Sequence, residues 1–154
     1  MAERTVIESL AGATLAISAG LPATYDAAGY GSTAITYTAI GEVESFGDHG
    51  VTAAVTEFTP IDTAVVAKVK GAKNYGSKAV TLGSLPSNAG QDILETASES
   101  QAHYSIKITY PDTSIHYMDV LVSKFTQLGG SVNDVHKISA ELTICRKPVI
   151  VPQA

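Results

Sequence analysis

The chain has 154 residues, of which 45 % are hydrophobic and 16 % charged, with a formal net charge of −5 and one cysteine. That length and apolarity suit one domain with a real core and exclude a disordered chain. No Lys/Arg run exceeds Arg146-Lys147, which excludes a basic nucleic-acid-reading patch, and a lone Cys145 excludes an internal disulfide or a Cys-based zinc site.

At the N-terminus, "LAGATLAISAGLPA" is mildly apolar. The leading "MAERTVIE" sets one Arg beside two Glu, and Thr, Ser and Gly dilute the apolar run, so it reads as part of the domain and not as a secretion signal. No run approaches the roughly 20 apolar residues of a membrane span. Period-2 alternation then predicts strands over 13–18, 34–46, 51–58, 63–70 and 77–84. Two of them, in "VTAAV" and "TAVVAKV", carry apolar or small residues on both faces. Strands of that kind are covered on both sides. With one helix in the chain, the second cover must be another layer or a neighbouring subunit. "GAKNYGSK" lacks phosphate-loop spacing and reads as a strand-to-strand turn.

"LPSNAGQDILETA" predicts the one helix, over about 87–98. Ser87 or Asn88 serves as cap, and Asn88 with Gln91 has capping-box spacing. Ile93, Leu94 and Ala97 form its docking face, with Gln91, Asp92, Glu95 and Ser98 turned away. A helix so short is marginal alone, so it docks on a sheet. "HYSIKITY", the turn "PDTS" and "IHYMDVLVS" predict a hairpin over 103–123. "LGGSVND" breaks the chain again, and "VHKISAELTIC" alternates for its whole length as the last strand.

Chemistry-bearing residues are scattered. His49, His103, His116 and His136 lie far apart in sequence, and His103 with His116 and Asp119 falls short of a metal-ligand set. Glu42 and Glu44, two apart on a strand, read as a solvated or channel-facing edge and not as an acid/base pair. No nucleophile elbow or dinucleotide fingerprint occurs. The sequence predicts a protein that is not an enzyme, with no catalytic residue, metal or cofactor.

The order of these elements resembles the tail tube protein (major tail protein) of long-tailed bacteriophages. The segments that carry the resemblance are "LPATYDAAGYGS", "YTAIGEVESFGDHG", "KVKGAKNYGSKAVTLG", the helix stretch, the hairpin "YSIKITYPDTSIHYMDVLVS" and the closing "CRKPV". Together they span about residues 20 to 148. The resemblance implies a two-sheet β-sandwich or barrel-like domain with one flanking helix. It implies six-fold rings whose inner strands form one barrel, stacked into a tube that carries genomic DNA at ejection. Partners would be other copies and further tail proteins such as tape measure, terminator and distal tail proteins, with no membrane. The site would be the virion tail, after synthesis and assembly in the host cytoplasm. The inter-ring loop maps to Glu57, Phe58, Thr59, Pro60, Ile61, Asp62 and Thr63. The whole chain, 1–154, would be one tail-tube domain, with about 1–30 and about 147–154 as interface arms. An acidic lumen would keep DNA phosphates off the wall, and the alternating strands offer Glu42, Glu44, Asp119 and Glu141 as its lining. A monomeric β-sandwich binding or adhesion module is the alternative, disfavoured by the scarcity of aromatics and the lack of Trp. A small β-barrel enzyme or ligand carrier has too few convergent polar groups behind it.

Overall fold

A computed structural model describes residue 7 and residues 9–152. The fold is mainly β, in two antiparallel sheets. Its strands are β1 (Thr14–Ser18), β2 (Thr38–Ile40), β3 (Val43–Ser45), β4 (Thr52–Phe58), β5 (Ala67–Asn74), β6 (Ser77–Gly83), β7 (Tyr104–Thr109), β8 (Ile115–Leu128), β9 (Lys137–Ile144) and β10 (Val149–Val151). The helices are α1 (Ala27–Tyr30) and α2 (Ala89–Glu99).

The large sheet has the order β2-β1-β7-β8-β9-β6-β3, with β10 also paired to β8. Its centre is the β7–β8 hairpin, in register Ile106 to Met118 and Ile108 to His116. In β9, Ile138, Ala140, Leu142 and Ile144 are buried, and the residues between them are half-exposed. Their side chains join those of Leu15, Ile17, Val80, Leu82, Ile106, Ile108, Met118 and Val120 in one core. β10 resumes the run of β9 along β8 after a break at 145–148, pairing Val149 with Tyr117. The C-terminal stretch from 149 to 151 is therefore a strand of its own chain's sheet.

The two ends of this path are β2 and β3, which are consecutive in the chain and joined only by Gly41-Glu42. The sheet must therefore curl until its ends meet at that corner. The predicted single strand over 34–46 is broken there because Glu42 adopts φ 58. Helix α2 lies along this seam. Leu94 and Ala97 are buried in the core and Ile93 packs at its margin. Asn88 caps α2 by accepting from the Gln91 N–H at 3.0 Å. Gln91 does not face away as its place on the helical wheel suggested: its side chain is buried and stitches the seam. Its Nε2 donates to the Gly41 carbonyl at 3.0 Å and the Gly83 carbonyl at 2.8 Å, while Oε1 accepts from the Leu85 N–H at 2.9 Å. The helix approaches β2 so closely that a Cβ at Gly90 would stand 2.2 Å from the Ala39 carbonyl oxygen.

The outer side of β1, β7 and the first half of β8 is roofed by the segment 20–37. Tyr30 is buried and stacks on Tyr117, with ring centroids 5.3 Å apart and planes 6° from parallel. Within this roof the exposed Asp26 caps α1, accepting from the Gly29 N–H at 2.7 Å. The predicted N-terminal arm thus contributes β1 to the core and the roof to the outer face. Residues 1–6 and 8, with 153–154 of the predicted C-terminal tail, lie outside the described residues.

The second sheet is the β4–β5 ribbon, and it stands apart. Every residue from 54 to 74 is exposed except Pro60, which is half-buried. β5 begins at Ala67 and not at 63, because the tip turns through Ala64 at φ 53, whose N–H bonds the Pro60 carbonyl.

Candidate functional site

The ribbon is amphipathic, and a bulge makes it so. Cross-strand partners project on the same face. Ala53 pairs with Lys73, then the register shifts by one, and Val55 pairs with Lys70 and Glu57 with Lys68. Without that shift, Lys73 would lie opposite Lys68 and Lys70, since alternate residues change face. With it, all three lysines share one face with Glu57, which meets Lys68 at 3.7 Å. The other face presents Thr56 opposite Val69 and Phe58 opposite Ala67. Phe58 is 65 % and Val69 63 % exposed. An apolar ribbon face open to water is an aggregation hazard unless a partner covers it. The loop Glu57, Phe58, Thr59, Pro60, Ile61, Asp62, Thr63 forms the ribbon's outer end, with Ile61 fully exposed beside Asp62.

The second open surface is the outer face of β3, β6, β9 and the second half of β8, beyond the roof. It carries Ser45 and Thr81, Ser139 opposite Thr126, and Glu141 opposite Lys124. Ser123 Oγ bonds the Glu141 carbonyl and Thr143. Hydroxyls dominate, and acids are matched by bases. Glu44 and Glu141 both lie here, Glu44 within 3.0 Å of Lys137. Glu42 is exposed at the seam corner, its carbonyl accepting from the Gly83 N–H.

Asp119 lies on the same side of β8 but under the roof, only 1 % exposed. One carboxylate oxygen meets His103 Nδ1 at 3.1 Å and the other Arg146 Nε at 3.3 Å. The Arg146 guanidinium in turn lies 3.8 Å above the centre of the Tyr25 ring. Asp119 thus clasps the start of the C-terminal stretch to the roof. Neither Arg146 nor Tyr25 is near it in sequence, so alternation alone showed only its side of the strand.

A third cluster sits at the ribbon's root. Lys78 is 1 % exposed. Its ammonium donates to the Gly47 carbonyl at 3.2 Å and to His49 Nδ1 at 3.1 Å. With Nδ1 accepting, His49 carries its proton on Nε2 and donates it to His116 Nδ1, 2.8 Å away. The Tyr110 ring packs on His116 with centroids 4.7 Å apart. Burial first, then the positive Lys78 and the neighbouring His116 ring, push His49 down to about 4, while burial and Lys78 lower His116. Burial holds Lys78 at about 8. The loop that supplies His49 is pressed against β6: Gly47 has φ 66, and a Cβ there would stand 2.2 Å from the Ala79 carbonyl oxygen. The sequence leaves His49 between the predicted strands 34–46 and 51–58 and Lys78 within a third, because only the fold brings positions 49, 78 and 116 together. Among the described residues no group of three or more His, Cys, Asp or Glu is placed to hold a metal. No described helix is long and apolar enough to cross a membrane.

No protein-family model matches the sequence, and none of the curated protein sequences matches it. Solved structures do match in fold. A chain of the sheath/tube terminator structure of PVC, an extracellular contractile injection system, superposes with TM-score 0.69 at 11 % identity. The match covers 96 % of this chain and 98 % of that one. A chain of the anti-feeding prophage baseplate gives TM-score 0.66 at 12 % identity, covering 98 % and 97 %. The SPP1 tail tube gives TM-score 0.57 at 14 % identity, covering 90 % and 75 %. The fold is therefore of the tail-tube type, curled sheet, flanking helix and all.

Proposed function

We propose that the chain is a structural subunit of a bacteriophage or phage-like tail, located in the virion tail. Copies close into six-fold rings, and the rings stack into a hollow tube that passes DNA at ejection. The observation that carries this reading is the uncovered apolar face of the β4–β5 ribbon, on a fold that superposes along nearly its full length with tail components. A neighbouring copy supplies the missing cover and removes the free strand edges. The hydroxyl-rich outer face of β3, β6, β9 and β8 lines the channel, with Glu44 and Glu141 in its wall and Glu42 at its corner. Its lysines are matched by acids, so the wall offers DNA phosphates no net positive charge to hold them. Its partners are other copies and further tail proteins such as tape measure, terminator and distal tail proteins. The role is structural and not enzymatic.

The better superposition on a terminator structure and a baseplate structure favours a second reading, in which the chain forms a ring at one end of a tube. Negative-stain microscopy and sedimentation of the purified chain test both. Stacked tubes support the first, and isolated six-fold rings the second. In either case Phe58→Asp with Val69→Asp keeps the wild-type circular-dichroism spectrum and leaves the chain monomeric. A wild type that stays monomeric at every concentration, or a variant that assembles as well as wild type, refutes the proposal.

A further inference from the structure

The root of the ribbon carries a concavity of ≈ 430 Å³ whose chemistry is the complement of the ribbon's own tip. Its apolar lining is Val51, Tyr75, Pro148 and Ile150, and its rim is Lys73 and Lys147. His49 and His116, linked as described above, stand in its wall. No acid lines it. Both lysines are exposed, and neither has an ion-pair partner among the described residues. Val51 and Ile150 expose 55 % and 60 % of their surface. A pocket with apolar walls and a basic rim suits an apolar side chain flanked by a carboxylate.

The tip offers that combination. Ile61 is fully exposed and is followed directly by Asp62, with Phe58 and Glu57 just before the turn. The Asp62 carboxylate accepts from the Thr63 N–H at 2.9 Å. The tip cannot reach the pocket of its own chain. Seven residues of β4 at about 3.3 Å each put the tip roughly 20 Å from the root. Knob and socket thus lie at opposite ends of one ribbon, the arrangement that joins copies head to tail and propagates instead of closing as a pair.

We propose that the pocket at the ribbon root is the socket for the ribbon tip of another copy, with Ile61 entering the apolar lining and Asp62 pairing with Lys73 and Lys147. This rests on the tube reading and adds to it the receptor surface and the residues that select the tip.

The test places a photo-crosslinking amino acid at position 61 of the full chain and maps the products by mass spectrometry. The expected product joins two chains, from position 61 to the segment 73–75 or 147–151. Lys73→Glu with Lys147→Glu lowers its yield at least tenfold with an unchanged circular-dichroism spectrum. Mixing that variant with chains carrying Asp62→Lys beside the crosslinker restores it. A crosslink to any other surface, a crosslink within one chain, or a yield indifferent to the lysines overturns the proposal. Tubes or rings that form with the crosslink elsewhere overturn the socket alone. A chain that stays monomeric and gives no crosslink overturns the socket and the tube reading together.

Discussion

Replacing Gln91 by Ala removes the three hydrogen bonds that tie α2 to the corner between β2 and β3 and to the end of β6: two carbonyls, of Gly41 and Gly83, and the Leu85 N–H lose their partner. A net intramolecular hydrogen bond is worth about 1 kcal/mol, and a buried polar group left unpaired costs about 1–3 kcal/mol. Three bonds at a largely buried site therefore place the loss at about 3 kcal/mol. Against a typical stability of about 5–15 kcal/mol that is a large share. At this chain length it corresponds to a melting temperature lower by roughly 6–12 °C. Urea unfolding followed by circular dichroism measures it, at a protein concentration where the chain is monomeric, because assembly adds stability by mass action. Asp92→Ala, exposed one residue further along the helix, is the control and should change stability by less than about 0.5 kcal/mol. Gln91→Glu adds a sign to the test. It sets a carboxylate against the two carbonyls, which raises its pKa above the usual value near 4.3. A raised folded pKa means stability that is present below the unfolded value and lost as pH rises through the folded one. Gln91→Glu should therefore recover at acid pH, and Gln91→Ala should not. If Gln91→Ala stays within about 0.5 kcal/mol of wild type, the seam is not held by this side chain and the account of why the helix is there fails.

Two further expectations concern the ribbon root. His49, lowered to about 4, and His116, also lowered, fold in the neutral form. Their contribution is complete above the ordinary value near 6.5 and is lost as pH falls from there toward 4. Melting temperature should drop between pH 7 and pH 5, and His49→Asn with His116→Asn should flatten that slope; a flat wild-type profile would count against the neutral relay. Gly47→Ala forces both a positive φ and an approach to Ala79 on a residue with a Cβ, and should cost about 2 kcal/mol or more in chemical unfolding. Gly50→Ala, with open space around it, should cost little; equal effects of the two would show that the loop is not pressed on β6.

Alternation by itself determines most of the strands. In β7 and β9 the side-chain period of two and the demand that one face be dry leave a single register, so Ile106, Ile108, Ile138 and Leu142 had to lie inward. The cap Asn88 and the apolar residues Leu94 and Ala97 likewise marked α2, because capping and helical spacing are local properties. The small and apolar residues on both faces of 51–58 and 63–70 already asked for a cover, and the fold of this chain supplies none.

Tertiary structure decided the rest, because it depends on residues far apart in sequence. Gln91 is polar and sits at a nominally outward wheel position, yet curling brings two carbonyls, that of Gly41 at the corner between the end strands and that of Gly83 at the end of β6, to meet it. Alternation placed Asp119 on a side of β8, but whether that side is wet depends on a roof folded from residues 20–37 and clasped by Arg146. The bulge that aligns Lys68, Lys70 and Lys73 is a one-residue slip that spacing cannot reveal. Local periodicity sees which face a residue takes; only closure of the sheet determines what that face meets.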